Sequence, residues 1–125
     1  MKRYGLVLAA MLTALSGGCG LDPYAAALQE RWQTQEELVH ILSSVRDEAS
    51  MAAAGEKLHQ NFRRFDEASR RLTQLHKPSG ETLRQIEAEW APKLQLALDR
   101  SNQEVSRIGK LPGGPEFIAA LNNLK

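Results

Sequence analysis

Two Glu-x-x-His pairs are the residues of this sequence whose types and spacing best suit metal binding. They are Glu37 with His40 and Glu56 with His59. Helical bundles that hold two iron ions use this unit, which places a carboxylate and an imidazole on one helix face. At 100° per residue, however, all four side chains point away from the apolar side of their helices, whereas such clusters project inward. We therefore expect no metal ion or other cofactor and keep these four residues only as candidates.

The sequence shows no other arrangement that supports catalysis. It has no nucleophile with a base and an orienting residue, no glycine-rich phosphate loop and no inward pair of carboxylates. With Cys19 as the single cysteine, covalent haem attachment through Cys-x-x-Cys-His is excluded. His76 faces inward at the end of a predicted helix, where an imidazolium is favourable with the helix dipole. The protein is not expected to be an enzyme.

Aromatic and amide side chains fall on the inner faces of the predicted helices. The aromatic residues expected at one level are Trp32, Phe62, Phe65 and Trp90. They would fill the core or line a pocket for an apolar ligand. Gln35 and Asn61 lie at similar heights, so we expect them to hydrogen-bond to each other and fix helix register.

Four arginines form a candidate interaction surface on the outer face of the second predicted helix. They are Arg63, Arg64, Arg70 and Arg71. Such a surface could meet anionic headgroups or a polyanion near a membrane. Asp66 and Glu67 precede the last two arginines by four residues, which is the spacing that stabilises an exposed helix. Mixed charge of this kind favours a solvated face.

Length and composition indicate one small folded domain. The chain has 125 residues, 42% hydrophobic and 25% charged, as in ordinary globular proteins. Its formal charge is +1, and removal of Lys2 and Arg3 would leave 14 basic and 15 acidic residues, or −1. A balance of this kind gives no electrostatic basis for binding nucleic acid.

The first 18 residues have the three parts of a secretory signal. Lys2 and Arg3 are followed by an apolar run over 5–15 and by the small residues Ser16, Gly17 and Gly18. The run is too short to span a bilayer, which takes about 20 apolar residues. Residues 1–18 are therefore predicted to be removed.

The segment Leu15, Ser16, Gly17, Gly18, Cys19 resembles the bacterial lipobox. The resemblance implies diacylglycerol on the Cys19 thiol and cleavage just before that residue. Ser16 stands where most lipoboxes have Leu, and Leu15 lies one position further back. Gly20 replaces the Asp typical of inner-membrane retention, which favours the outer membrane, with the domain in the periplasm. The alternative is an ordinary secreted protein with a free thiol.

The remaining chain predicts an all-α fold. Apolar residues recur at helical spacing over about 23–47, 51–76 and 80–108, behind a tether over 19–22. Asp22 and Ser50 are the expected N-caps of the first two helices. Pro92 is expected to kink the third, and 110–125 should form a hinge and a short amphipathic helix. Short connections then give an up-down-up antiparallel three-helix bundle.

Residues 36–100 resemble a family of small exported bacterial helical proteins. The likeness rests on EELVHILSSVRDEAS from Glu36, on Lys77, Pro78 and Ser79, and on the aromatic-x-Pro of Trp90 and Pro92. It implies a helical fold and brings no known activity. The expected function is that of a lipid-anchored envelope protein acting as an adaptor or chaperone-like module toward an unknown envelope partner. The alternative is a carrier of a small molecule or metal.

Overall fold

The computed structural model describes residues 22–123, which form four helices. These are α1 over Pro23–Ser43, α2 over Glu48–Gln74, α3 over Gly80–Ile108 and α4 over Gly114–Asn122. Within 22–123 there is no strand, so the predicted all-α class is confirmed. Cys19 and the predicted signal segment lie outside the described residues.

The first helix begins as predicted and ends earlier than predicted. The Asp22 carboxylate accepts a hydrogen bond from the Tyr24 amide at 2.7 Å, and Pro23 occupies the first turn. The helix ends at Ser43 instead of near Asp47. Val45 continues the apolar spacing but lies in the following turn, where it is completely buried.

Arg107 of α3 caps the C-terminal end of α1. Its guanidinium donates to the backbone carbonyls of Val45 at 2.8 Å and Leu42 at 3.0 Å, and to the Glu104 carboxylate at 2.7 Å. Carbonyls at a helix C-terminus have no partner within the helix. One side chain of α3 thus satisfies the end of α1 and fixes the two helices together.

The second helix is capped by Asp47, and the prediction of Ser50 as its N-cap is wrong. The Asp47 carboxylate accepts from the Ser50 amide at 2.9 Å, and the Ser50 hydroxyl accepts from the Asp47 amide at 2.9 Å. This reciprocal pair is a capping box. The hydrogen bond from the Ser50 amide holds the pKa of Asp47 below its ordinary value, with help from the Ser50 hydroxyl.

The third helix has the predicted bounds and continues through Pro92, which is exposed. An exposed proline costs the helix one hydrogen bond on its solvent side. α2 ends at Gln74, two residues before the prediction, with Pro78 in the connection that follows.

The first helix packs against both other long helices, whereas α2 and α3 make no close backbone contact with each other within residues 22–123. Contacts between α1 and α2 join Glu30 to Arg71 and Thr34 to Asn61. A groove therefore runs between α2 and α3, with α1 at its base.

The buried side chains form two clusters. The larger joins α1, α2, α3 and α4, and consists of Ile41, Leu42, Val45, Met51, Ala54, Leu58, Ile108 and Leu121. The smaller lies toward the start of α1, and consists of Ala25, Leu28, Ile86 and Trp90. The short helix α4 is thus part of the core.

Two glycines allow α4 to approach the end of α3. Gly113 adopts a positive φ of 78°, which side chains with a Cβ avoid. At Gly114 an added Cβ would lie 1.8 Å from the carbonyl oxygen of Ile108. The backbone of α4 therefore touches the last turn of α3 directly.

Candidate functional site

A cavity lined by all four helices lies in the groove between α2 and α3. It has a volume of about 410 Å³, within the range of small-molecule pockets. Its apolar lining consists of Leu38, Leu42, Phe62, Phe65, Leu98, Val105, Ile118 and Leu121. Its polar lining consists of Gln35, Asn61, Asp66, Ser101, Asn102 and Asn122. Every helix contributes to this wall, so the site exists only when the whole fold is assembled.

Two amides lie at the base of the cavity, and the predicted hydrogen bond between Gln35 and Asn61 is wrong. Asn61 is 1% exposed, and its Nδ2 donates to the Thr34 backbone carbonyl at 2.9 Å. The Nε2 of Gln35 donates to Ser101 Oγ at 3.2 Å. Each amide joins α1 to a different neighbour, because α1 lies between α2 and α3.

These two hydrogen bonds use the side-chain N–H groups of Asn61 and Gln35 and leave their side-chain oxygens as acceptors. Ser101 Oγ donates in turn to the Ala97 carbonyl at 3.0 Å. Neither Asn61 Oδ1 nor Gln35 Oε1 accepts a side-chain hydrogen bond from residues 22–123. Neither oxygen is fully buried without a partner. Both side chains line the cavity, so their oxygens are acceptors that a ligand there could use.

The charge of the cavity lining is slightly acidic. Asp66 is the only charged side chain in the lining described above, and it is exposed on α2. Leu98 on α3 lines the cavity and is 45% exposed. Leu96 on the same helix is 50% exposed but does not line the cavity.

The predicted single layer of four aromatic residues is wrong. Trp32 and Trp90 pair in the smaller core cluster, with ring centroids 5.9 Å apart, and Lys93 Nζ lies 4.5 Å from the Trp90 centroid. Phe62 and Phe65 instead line the cavity. The aromatic residues divide because α2 and α3 are separated by the groove.

The candidate metal ligands do not converge. The Glu37 carboxylate forms an ion pair with Arg64, and the Glu56 carboxylate accepts from Gln60 at 3.5 Å. His40 and His59 are exposed. Residues 22–123 contain no group of three or more side chains arranged to hold a metal ion.

His76 was predicted to face the core at the end of the second helix, and this is wrong. The helix ends at Gln74, so His76 lies in the connection and is exposed.

The arginine surface consists of two kinds of residue. Arg64 and Arg71 reach across to α1, where Arg71 contacts Glu30 at 2.5 Å. Arg71 also lies 3.8 Å from Glu67, the predicted pair four residues apart. Within the described chain, Arg63 and Arg70 form no ion pair. Only these two keep a free charge toward solvent.

Of the four aromatic residues that the sequence offers as core or as the lining of a pocket, Phe62 and Phe65 line the cavity, whereas Trp32 and Trp90 lie in the smaller core cluster. The contributions of α3 and α4 to the cavity were not predicted. The structure shows the reason in α1, where nearly every residue from Arg31 to Val39 is partly buried. A helix that is partly buried on two sides packs against two neighbouring helices, and those two helices need not contact each other.

None of the helices in residues 22–123 is long and apolar enough to cross a membrane. Comparison of the sequence with protein-family models, curated proteins and solved structures finds no match.

Proposed function

We propose that this protein is a lipid-anchored component of the bacterial cell envelope that acts by binding, as an adaptor or chaperone-like module, and not by catalysis. The observation that supports binding is the groove between α2 and α3, with its uncovered leucine at position 98. Contiguous apolar surface on a small domain marks a place of contact with another molecule.

The anchor is proposed from the sequence before the described residues. A signal-like segment leads to the lipobox-like Leu15 to Cys19, and Gly20 favours the outer membrane. Since two or three acyl chains bind a membrane stably, lipid on Cys19 would suffice as an anchor. Because α1 begins at Pro23, the tether is four residues and the domain would lie close to the membrane.

We also propose that the three long helices run up, down and up. This is supported by the contact pairs, which join Glu30 to Arg71 and Glu37 to Arg64 between α1 and α2. Between α1 and α3, Trp32 contacts Trp90 and Leu42 contacts Arg107. Residue numbers thus change in opposite directions in the first pair and in the same direction in the second.

Mass spectrometry of the mature N-terminus tests the anchor. We expect a chain that begins at Cys19 and carries diacylglycerol, and we expect Cys19→Ser to abolish both the added mass and membrane association. An unmodified thiol, or cleavage at another position, would reduce the protein to a secreted soluble domain.

Site-specific photo-crosslinking in intact cells tests the binding surface. A photoreactive residue at position 98 should capture one recurring envelope component, whereas the same residue at the exposed position Glu87, away from the groove, should not. The same photoreactive residue placed at Arg63 and at Arg70 tests whether the arginine surface also contacts the partner. Equal labelling from 87 and 98 would remove the groove from the proposal.

The cavity favours a second candidate function, a carrier of an apolar small molecule. Its volume of about 410 Å³ and its phenylalanine-lined wall support this function. A ligand that binds only the folded state raises the apparent stability of the protein. Thermal unfolding with small apolar compounds, and with zinc, iron and haem as the metal arm, therefore separates a carrier from an adaptor.

A further inference from the structure

We infer that the cavity between α2 and α3 binds an amphiphile with an apolar body and a hydrogen-bond-donating head that is neutral or positively charged. The inference deepens the carrier candidate above and does not depend on lipidation of Cys19. It rests on three properties of the lining, namely its apolar wall, its unused acceptors and its single charge.

The apolar wall recognises the body of the ligand. Leu38 of α1, Phe62 of α2, Val105 of α3 and Ile118 of α4 each belong to the partly buried shell around the larger core cluster. Their exposed portions face the cavity, where a hydrocarbon would replace water against them. Removal of apolar surface from water is the term that drives such binding.

The amide oxygens at the base select the head. Asn61 and Gln35 have each committed an N–H to the protein, whereas Asn61 Oδ1 and Gln35 Oε1 accept no side-chain hydrogen bond within the described residues. A head that carries N–H or O–H groups would satisfy both oxygens. A head with acceptors alone would leave them unpaired, which carries a penalty in a buried site.

The charge of the lining disfavours an anionic ligand. Among residues 22–123, Asp66 is the only ionisable residue that lines the cavity, and none of these described residues is a lysine or arginine placed there to pair with a carboxylate or phosphate. Arg64 does not line the cavity, and its guanidinium pairs with Glu37 of α1. An ammonium group near Asp66 would be attracted, and an anion would be repelled.

Calorimetric titration of four octyl amphiphiles tests the inference. The full chain carrying Cys19→Ser is used, because it has no lipid that could occupy the cavity, and each probe stays below its own micelle concentration. The probes are octylammonium, octyl glucoside, octyltrimethylammonium and octanoate. The head of octylammonium carries a positive charge and N–H donors, and that of octyl glucoside carries O–H donors without a charge. The head of octyltrimethylammonium carries a positive charge without donors. Octanoate has neither a positive charge nor a donor.

We expect saturable binding that is tightest for octylammonium, weaker for the glucoside and the trimethylammonium probe, and weakest for octanoate. Binding of octanoate as tight as that of octylammonium would overturn the inference. No saturable binding of any probe would also overturn it, and it would leave the anchoring proposal untouched, because that proposal is tested by the mass of the mature N-terminus.

Matched variants locate the binding. Leu98→Gln should weaken octylammonium binding about fivefold because Leu98 lines the cavity, whereas Leu96→Gln on the same helix should leave binding unchanged. Asp66→Asn should reduce the preference for octylammonium over octyl glucoside about threefold, and Asp99→Asn, an equal change in charge away from the cavity, should not. Equal effects within either pair would place the ligand elsewhere.

Discussion

Replacement of Gly114 by alanine is expected to displace α4 from the core. The added Cβ would lie 1.8 Å from the Ile108 carbonyl oxygen and 2.9 Å from its carbon, whereas real Cβ atoms stay at least 3.0 Å from such neighbours. The obstacle is the backbone of α3 and not a flexible side chain. Relief therefore requires movement of α4 itself.

The cost follows from what α4 buries. Leu121 is 8% exposed, and Phe117 and Ile118 are half-buried against the same cluster. Full burial of one such side chain contributes about 1.5 to 3 kcal/mol, and a displaced helix keeps part of its contacts. We therefore expect Gly114→Ala to lower the free energy of unfolding by about 2 to 4 kcal/mol.

Urea unfolding followed by circular dichroism measures this change, with Gly55→Ala as the matched control. Gly55 lies inside α2, where an added Cβ meets nothing within 4 Å, so alanine should stabilise the helix by about 0.5 to 1 kcal/mol. The two identical substitutions should act in opposite directions. If Gly114→Ala unfolds at the same urea concentration as the unmodified chain, the close approach of α4 to α3 is refuted.

Three further variants test other contacts. Arg107→Lys keeps the charge but replaces three separate guanidinium nitrogens, which reach the Val45 and Leu42 carbonyls and the Glu104 carboxylate, by one ammonium nitrogen on a different stem. It should cost about 1 to 2 kcal/mol in urea unfolding, and a loss no larger than that of an exposed lysine substitution would contradict the capping of α1. Asn61→Ala should cost about 1 to 3 kcal/mol, since it removes a buried hydrogen bond to the Thr34 carbonyl; an unchanged midpoint would refute that role. Asp47 has a lowered pKa because of the Ser50 amide, so its capping contribution is present above the ordinary carboxyl pKa and is lost as pH falls through the lowered value. Asp47→Asn keeps an acceptor and does not titrate. The difference in unfolding midpoint between the unmodified chain and Asp47→Asn should therefore be larger at about pH 7 than at about pH 3, and the same difference at both values would argue against this linkage.

The helices could be predicted because their signals are local. Asp22 with Pro23 begins α1, and the apolar spacing over 80–108 gives the bounds of α3. The end of α1 was misjudged because buried Val45 continues the apolar spacing beyond the last helical residue. The cap of α2 was misjudged although the sequence contains its signal, an acidic residue three positions before a hydroxyl residue.

The site could not be predicted because it depends on the distance between helices. Helical periodicity correctly placed Asn61 on an inner face, but its partner is a backbone carbonyl of α1 and not the side chain of Gln35. Periodicity also placed Phe62 and Trp90 on inner faces, yet they belong to different surroundings. A stripe of apolar residues predicts which side chains are buried. It does not predict which neighbouring helix buries them.

The central position of α1 also has a consequence for how the molecule is made. Contacts of α1 with α2 become available as soon as the first half of the chain has been synthesised, whereas Gln35 must wait for Ser101, 66 residues later. Until then one side of α1 is uncovered, and closing so long a loop is among the slower steps of folding. The side of the cavity that α3 contributes forms in that step. A nascent chain that stops before α3 therefore presents a two-helix hairpin with an exposed apolar side, the species that a protease or a folding chaperone would meet first.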